Sequence, residues 1–219
     1  MSLRSDQQAA CYFDRIADEW DAIYAEERGG LSGVLNRVFR KDMWLRYQWV
    51  KELMEASPRG SVLDIGCGNG IYALALAQQG HQPILAMDLA PAALEKARAA
   101  VSAAGLGDVI RTETGDAFFG DYEGHFEVAL AIGVFDYVAE PLPALQAVTK
   151  RAGRLLATFP RAETWRAPVR KLRLKRRGCP VYFYRRAALS DLVAEAGWQI
   201  ASWQQHGCLY CLDLRGGRG

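Results

Sequence analysis

The sequence predicts an α/β protein: a doubly wound, seven-stranded sheet whose last strand runs antiparallel, preceded by an N-terminal helical cap. Three observations carry that prediction. From residue 61 on, short apolar runs alternate with segments of helical period, the pattern of strand–helix crossovers. The first run, Val62-Leu63-Asp64-Ile65, ends in the turn Gly66-Cys67-Gly68-Asn69-Gly70, and a helical pattern follows at once. A tight turn at His206-Gly207 joins the last two apolar runs, which sets the final strand antiparallel to its neighbour.

Taken in order, residues 9–27 have helical spacing, with Phe13, Ile16, Ala17 and Trp20 on one side. Gly29-Gly30 interrupts it. A second helix is expected over about Leu31–Glu55, with Trp44, Tyr47, Val50, Leu53 and Met54 as its apolar stripe, and Ser57-Pro58-Arg59-Gly60 ends it. These residues form the expected cap, 1–57; residues 58–219 form the expected main domain. Strands are expected near 61–65, 83–88, 109–114, 126–132 and 154–159, then 199–205 and 208–214. Helices fall near 71–79, 90–104, 142–152 and 185–196, so the first five strands should be parallel and covered on both faces.

With 219 residues, half of them apolar and 24% charged, the chain is long enough for one domain with a substantial core. It has no long uncharged apolar stretch, and Met1–Gln8 is polar, so neither a membrane span nor a secretory signal is expected and the location expected is cytoplasmic. Five cysteines follow no disulfide framework; Cys208-Leu209-Tyr210-Cys211 has no second ligand pair for zinc, so buried, reduced thiols are expected. Net charge is only +2, yet Arg161–Arg186 holds ten Lys/Arg against Glu163, a local +9 that leaves 2 − 9 = −7 on the rest.

The glycine turn is the first chemical signal. Glycines tolerate positive φ and let a ligand approach the bare backbone, and a helix N-terminus favours an anionic group. The spacing is not G-x-G-x-x-G, because Ile71 stands where a small residue would be needed. Asp88 ends the second strand in Ala86-Met87-Asp88-Leu89, where an acid can accept two ribose hydroxyls; the competing reading is a cap for the helix at Ala90-Pro91. Asp116, in Thr114-Gly115-Asp116-Ala117-Phe118, can accept an adenine amino group while the Ala117 or Phe118 N–H meets a ring nitrogen; an Asx turn competes.

Together Val62–Gly70, Asp88, Gly115-Asp116-Ala117 and Ala129–Val134 resemble the class I S-adenosylmethionine (SAM) methyltransferases, over about residues 61–159. The resemblance implies a Rossmann-like sheet, SAM as cofactor with S-adenosylhomocysteine as product, Asp64 ordering the loop, and Gly66, Cys67 and Gly68 facing the methionine moiety. It implies that Leu89 and Ile132 complete the cofactor pocket and that Gly133 lies under the methyl donor. Tyr12-Phe13-Asp14-Arg15, then Trp20-Asp21 and Tyr24, is similar to the cap of small-molecule methyltransferases such as the ubiquinone-biosynthesis and magnesium-protoporphyrin O-methyltransferase groups. There an arginine before the first motif meets the SAM carboxylate; Arg46 is the candidate, in competition with Arg37 and Arg40.

The segment from Arg161 to about Tyr184 reads as a basic lid over the crevice, its arginines and aromatics suited to a planar or anionic substrate. Two alternatives stand beside it: a solvated amphipathic helix over 166–177 with Val169 and Leu172 inside, and a nucleic-acid surface. Candidate substrate contacts are Tyr12, Phe135, Arg161, Tyr182 and Tyr184, and candidate bases are His206, Asp136 and Tyr137, with a turn role competing for His206. The function expected is O-methylation of a small molecule by a monomer or homodimer; the alternatives are a nucleic-acid methyltransferase and a non-catalytic SAM or nucleotide-binding regulator. No Asn/Asp-Pro-Pro-Tyr/Phe sequence follows the fourth strand, which argues against base amino methylation, and intact glycines and acids argue against a dead pocket.

Overall fold

The computed structural model describes residues 31–216, so the helix expected over 9–27, with Tyr12 and Cys11, lies outside the described residues. The described part begins with α1 (Leu31–Glu55) and continues as β1 (Val62–Ile65), α2 (Ile71–Gln78), β2 (Ile84–Asp88), α3 (Pro91–Ala103) and β3 (Ile110–Thr114). Then come β4 (Val128–Ala131), α4 (Pro141–Thr149), β5 (Arg154–Pro160), α5 (Arg166–Arg176), α6 (Arg186–Glu195), β6 (Trp198–His206) and β7 (Leu209–Gly216). The seven strands form one sheet in the order β3-β2-β1-β4-β5-β7-β6. Neighbours from β3 to β5 are parallel, whereas β7 is antiparallel to both β5 and β6.

Alternating side chains divide the sheet into two apolar layers. Leu63, Ile65, Leu85, Met87, Ala129 and Leu155 face one way and meet Leu145 of α4 and Leu189 of α6. Val62, Ile84, Ala86, Val128, Leu130 and Leu156 face the other and meet Trp49, Val50 and Met54 of α1, Ala73 of α2 and Leu94 of α3. Because β1 leads outward through α2 to β2 while β4 lies on its other side, the chain reverses direction between β1 and β4. A ligand crevice opens at the carboxyl ends of the strands where such a reversal occurs.

Two helix phases differ from expectation. In α1 the buried side includes Met43, Trp49, Val50 and Met54, whereas Trp44 is 60% exposed. Met43 lies two turns before Val50 and shares its face, but Trp44 lies six residues before Val50 and is rotated well off it. In α5 the inner residues are Ala167 and Leu174; Val169 and Leu172 point outward, not inward. The amphipathic reading of α5 identified its two faces but reversed which one is buried.

Candidate functional site

The first wall of the crevice is the turn after β1. Gly66 and Gly68 have φ of 67° and 56°, and a Cβ on Gly66 would come within 2.7 Å of Val134 Cγ2. Gly68 has no atom within 4 Å of its would-be Cβ, so the loop exposes bare backbone to open space there. Cys67 donates its N–H to Met87 O at 3.0 Å, and its side chain is buried in the core. Any contact of Cys67 with a methionine moiety is thereby limited to its main chain. Burial pushes the Cys67 thiol pKa up, so it stays protonated.

Asp88 supports the turn from the neighbouring strand. Its Oδ2 accepts the Gly68 N–H and its Oδ1 accepts the Ala90 N–H, both at 2.8 Å. The capping role and the ribose role are therefore compatible: each carboxylate oxygen has a second lone pair to offer. Burial raises the Asp88 pKa, against the backbone donors that lower it. Asp64 lies beneath. It is 1% exposed, and its pKa is raised to about 7 by burial first and by the Asp88 charge second, with the Ala73 N–H acting in the opposite sense. Its Oδ2 is buried without a hydrogen-bond partner among the described residues.

At the end of β3, Asp116 Oδ1 accepts the N–H groups of Phe118 and Phe119, at 2.8 and 3.2 Å. This is the Asx-turn arrangement, and it removes the Phe118 N–H from the donors offered to a ring nitrogen. Ala117 is held from below by its carbonyl, which accepts the Tyr122 hydroxyl at 2.5 Å. Leu89 stands 39% exposed beside Asp88, an apolar surface on which a base can lie, while Ile132 is buried on the face packed by α1.

The opposite wall follows β4. Thr158 on β5 accepts the Gly133 N–H at 2.8 Å and fixes that turn. A Cβ on Gly133 would lie 2.8 Å from Arg46 Nη1, so the α1 guanidinium covers Gly133 closely. Phe135 is fully buried and stacks on Phe159 with centroids 4.6 Å apart. Tyr184 donates its hydroxyl to Phe135 O at 3.0 Å and is likewise buried. The expectation that Phe135 and Tyr184 touch substrate is corrected: both are core residues that support the turn from within. Tyr182 is half-buried, and its N–H bonds Asp136 O at 2.8 Å.

Of the three candidate bases, Asp136 and Tyr137 meet at one arginine, and His206 stands apart from both. Asp136 is buried and its Oδ2 accepts Arg170 Nη2 of α5 at 2.5 Å; the Tyr137 hydroxyl lies 3.3 Å from the same nitrogen. Burial raises the Tyr137 pKa strongly, so its hydroxyl stays protonated. Arg170 stays charged despite its own burial because Asp136 lies beside it. The pair anchors the basic helix to the loop after β4. His206 is at the carboxyl end of its strand as expected, but β6 is the sheet edge, four strands from β1 and about 19 Å from it at the usual spacing. Its Nε2 lies 3.0 Å from Gln204 Oε1 of the same strand. Arg161 directly follows β5, at its carboxyl end, and reaches toward that edge, donating to Gly207 O of the β6–β7 turn at 3.0 Å with its guanidinium over the Tyr210 ring of β7.

Sequence reasoning missed Thr158, Arg170 and Asp42. Asp42 accepts Arg166 Nη1 at 3.0 Å and so links α1 to α5. Each acts through a partner at least 25 residues away. No local pattern marks such pairs, although Arg170 lies within the charge run that did stand out.

Comparison with known proteins fits this geometry. A ribosomal protein L11 methyltransferase of Exiguobacterium sp. is 32% identical over 97 residues, which is 44% of this chain and 31% of that protein. A ubiquinone biosynthesis O-methyltransferase of Stutzerimonas stutzeri is 31% identical over 103 residues, 47% of this chain and 44% of that protein. The chain thus spans less than half the length of these relatives. Magnesium protoporphyrin IX methyltransferase from Synechocystis PCC 6803, solved with S-adenosylhomocysteine bound, shares the fold with a TM-score of 0.77 at 19% identity, covering 94% of this chain and 97% of that one. A family model described as a methyltransferase domain matches residues 41–202, from the helix that carries Arg46 to the sixth strand, and the chain belongs to that family.

Proposed function

We propose that this protein is a SAM-dependent methyltransferase acting on a small anionic acceptor at oxygen, with a carboxylate as the favoured nucleophile. The observation that carries the cofactor reading is the pairing of open backbone at Gly68 with the Asp88 carboxylate that accepts its N–H. Asp88 then receives the ribose hydroxyls, Leu89 and Ala117 border the base, and Asp116 takes its amino group. Gly66 and Gly68 border the methionine moiety, Arg46 faces its carboxylate, and Asp64 Oδ2, buried without a hydrogen-bond partner among the described residues, supplies an acceptor beneath the loop. Bound there, SAM supplies an electrophilic methyl on a sulfonium centre.

The chain's own contribution is placement. Thr158 fixes the Gly133 turn by its hydrogen bond and Arg46 covers it, which holds the acceptor and methyl carbon in line. Helix α1 and the stretch after α5 that carries Tyr182 border the crevice and exclude water from it. A carboxylate is favoured because the three candidate bases are committed elsewhere: Asp136 to Arg170, Tyr137 to the protonated state, and His206 to the sheet edge. An ionised carboxylate attacks without losing a proton, whereas a phenol or alcohol needs a base.

Titration calorimetry with SAM and with S-adenosylhomocysteine tests the cofactor. Both should bind the wild type, and Asp88→Ala should weaken both by about 10- to 100-fold, the loss of one or two charge-assisted hydrogen bonds. A folded wild-type protein that binds neither refutes the reading. For the acceptor, planar aromatic carboxylates should give methyl esters at a rate nearly flat between neutral and mildly alkaline pH. A rate that climbs with pH, on phenols only, would replace the carboxylate by a hydroxyl acceptor.

A further inference from the structure

The outward face of α5 is apolar where the surroundings are strongly basic. Trp165, Val169 and Leu172 follow one another at spacings of four and three, so they form one stripe, and they are 77%, 61% and 55% exposed. The inner side is fully engaged: Ala167 and Leu174 are buried, Arg170 pairs with Asp136 and Arg166 pairs with Asp42. The helix is thus fixed to the body with its apolar stripe turned away from the core. Lys171, Arg173, Lys175, Arg176 and Arg177 are all exposed around and beyond that stripe. Between Thr164 and Arg186 there is no acidic residue to offset them.

We propose that α5 is a docking element for an anionic lipid bilayer, lying in the interface with Trp165, Val169 and Leu172 immersed and the flanking cations on the headgroups. Separated apolar and basic sectors on one helix are what interfacial binding uses: buried apolar area and attraction to anionic lipid add together. Nucleic acid would use the cations but leaves the exposed tryptophan, valine and leucine without a role. A helix that only closed over a substrate would turn its apolar residues toward the crevice. Docking goes beyond the proposed reaction and does not depend on which acceptor is methylated. It does place α5, and through the Arg170–Asp136 pair the loop after β4, against the membrane surface.

Flotation with vesicles tests it on the full chain. The wild type should float with vesicles of phosphatidylcholine mixed with phosphatidylglycerol, much less with phosphatidylcholine alone, and less in high salt. Val169→Asp/Leu172→Asp should lose at least tenfold in partitioning, and so should Lys171→Gln/Arg173→Gln/Lys175→Gln, since each cation at an anionic surface contributes about fivefold. These positions are exposed, so melting temperature and S-adenosylhomocysteine binding should be unchanged in both variants. Failure of the wild type to float, or flotation unaffected by the aspartates, overturns the proposal. So does a dimer in sedimentation that the aspartates dissolve, which would give the face to a second copy of the chain. Binding of single-stranded RNA lost in the glutamine variant and kept in the aspartate variant, without flotation, would give it to nucleic acid.

Discussion

Asp64 places a carboxyl at the centre of the sheet, 1% exposed, with only part of its hydrogen-bonding capacity used by Ala73. Its pKa of about 7 means that the ionised form is held at a cost at neutral pH, chiefly through burial and secondly through the Asp88 charge. A carboxyl whose folded pKa lies above its unfolded one adds stability that is complete below the unfolded value, near 4. That contribution is lost as pH rises through about 7. Asp64→Asn keeps an acceptor for the Ala73 N–H and carries no charge. The variant should therefore gain stability relative to wild type as pH rises from about 5 to about 8, by a few kcal/mol at most. Melting temperatures measured across that range check it; a difference independent of pH would mean that Asp64 does not titrate there. At this scale the sequence showed an acid in the turn motif but not its state, because that depends on Asp88, 24 positions on, and on the helix packed above.

The turn after β1 and the basic helix after β5 are the elements whose details decide the site. Gly66 is needed for two separable reasons, a φ of 67° and the 2.7 Å approach of Val134 Cγ2 to a Cβ placed there. Gly66→Ala should cost about 2 to 4 kcal/mol from both causes, and Gly66→Ala/Val134→Ala should recover the steric part while leaving about 1 to 2 kcal/mol of backbone strain. Denaturant unfolding of these two variants and of Val134→Ala alone separates the terms; complete recovery, or none, would refute the division. The glycine turn was legible in the sequence because local backbone geometry needs glycine. Val134 was not legible as its neighbour, since the contact crosses from β1 to the end of β4. In α5 the sequence supplied amphipathic spacing, but Arg170 and Arg166 are drawn inward by Asp136 and Asp42, which turns Val169 and Leu172 out. Charge pairing overrode the rule that apolar residues face the core.

For the whole molecule, a buried ion pair between two C-terminal strands also ties them to the link that follows α1. Arg154 of β5 forms a two-pronged bridge to Asp213 of β7, both contacts 2.8 Å, and its Nη1 donates to Ser57 Oγ in the link from α1 to β1 at 2.6 Å. Removing one partner of such a pair leaves the other charge buried and uncompensated. Asp213→Ala should destabilise the fold by about 3 to 5 kcal/mol, whereas Arg154→Met/Asp213→Leu should cost much less. Urea unfolding of both decides it; equal losses would mean that packing, not charge, is what the pair contributes.

Legible in the sequence alone were the succession of strands, the helices other than α5, the antiparallel hairpin and the position of Asp88 and Asp116 at the ends of β2 and β3. Each of these rests on local period, turn chemistry or position at a strand end. Which side chains face the crevice was settled by long-range packing. It took Phe135 and Tyr184 into the core, moved His206 to the sheet edge and bound Asp136 to Arg170. The physical reason is range: period and glycine act through neighbouring residues, whereas burial and charge pairing join positions that only the folded chain brings together.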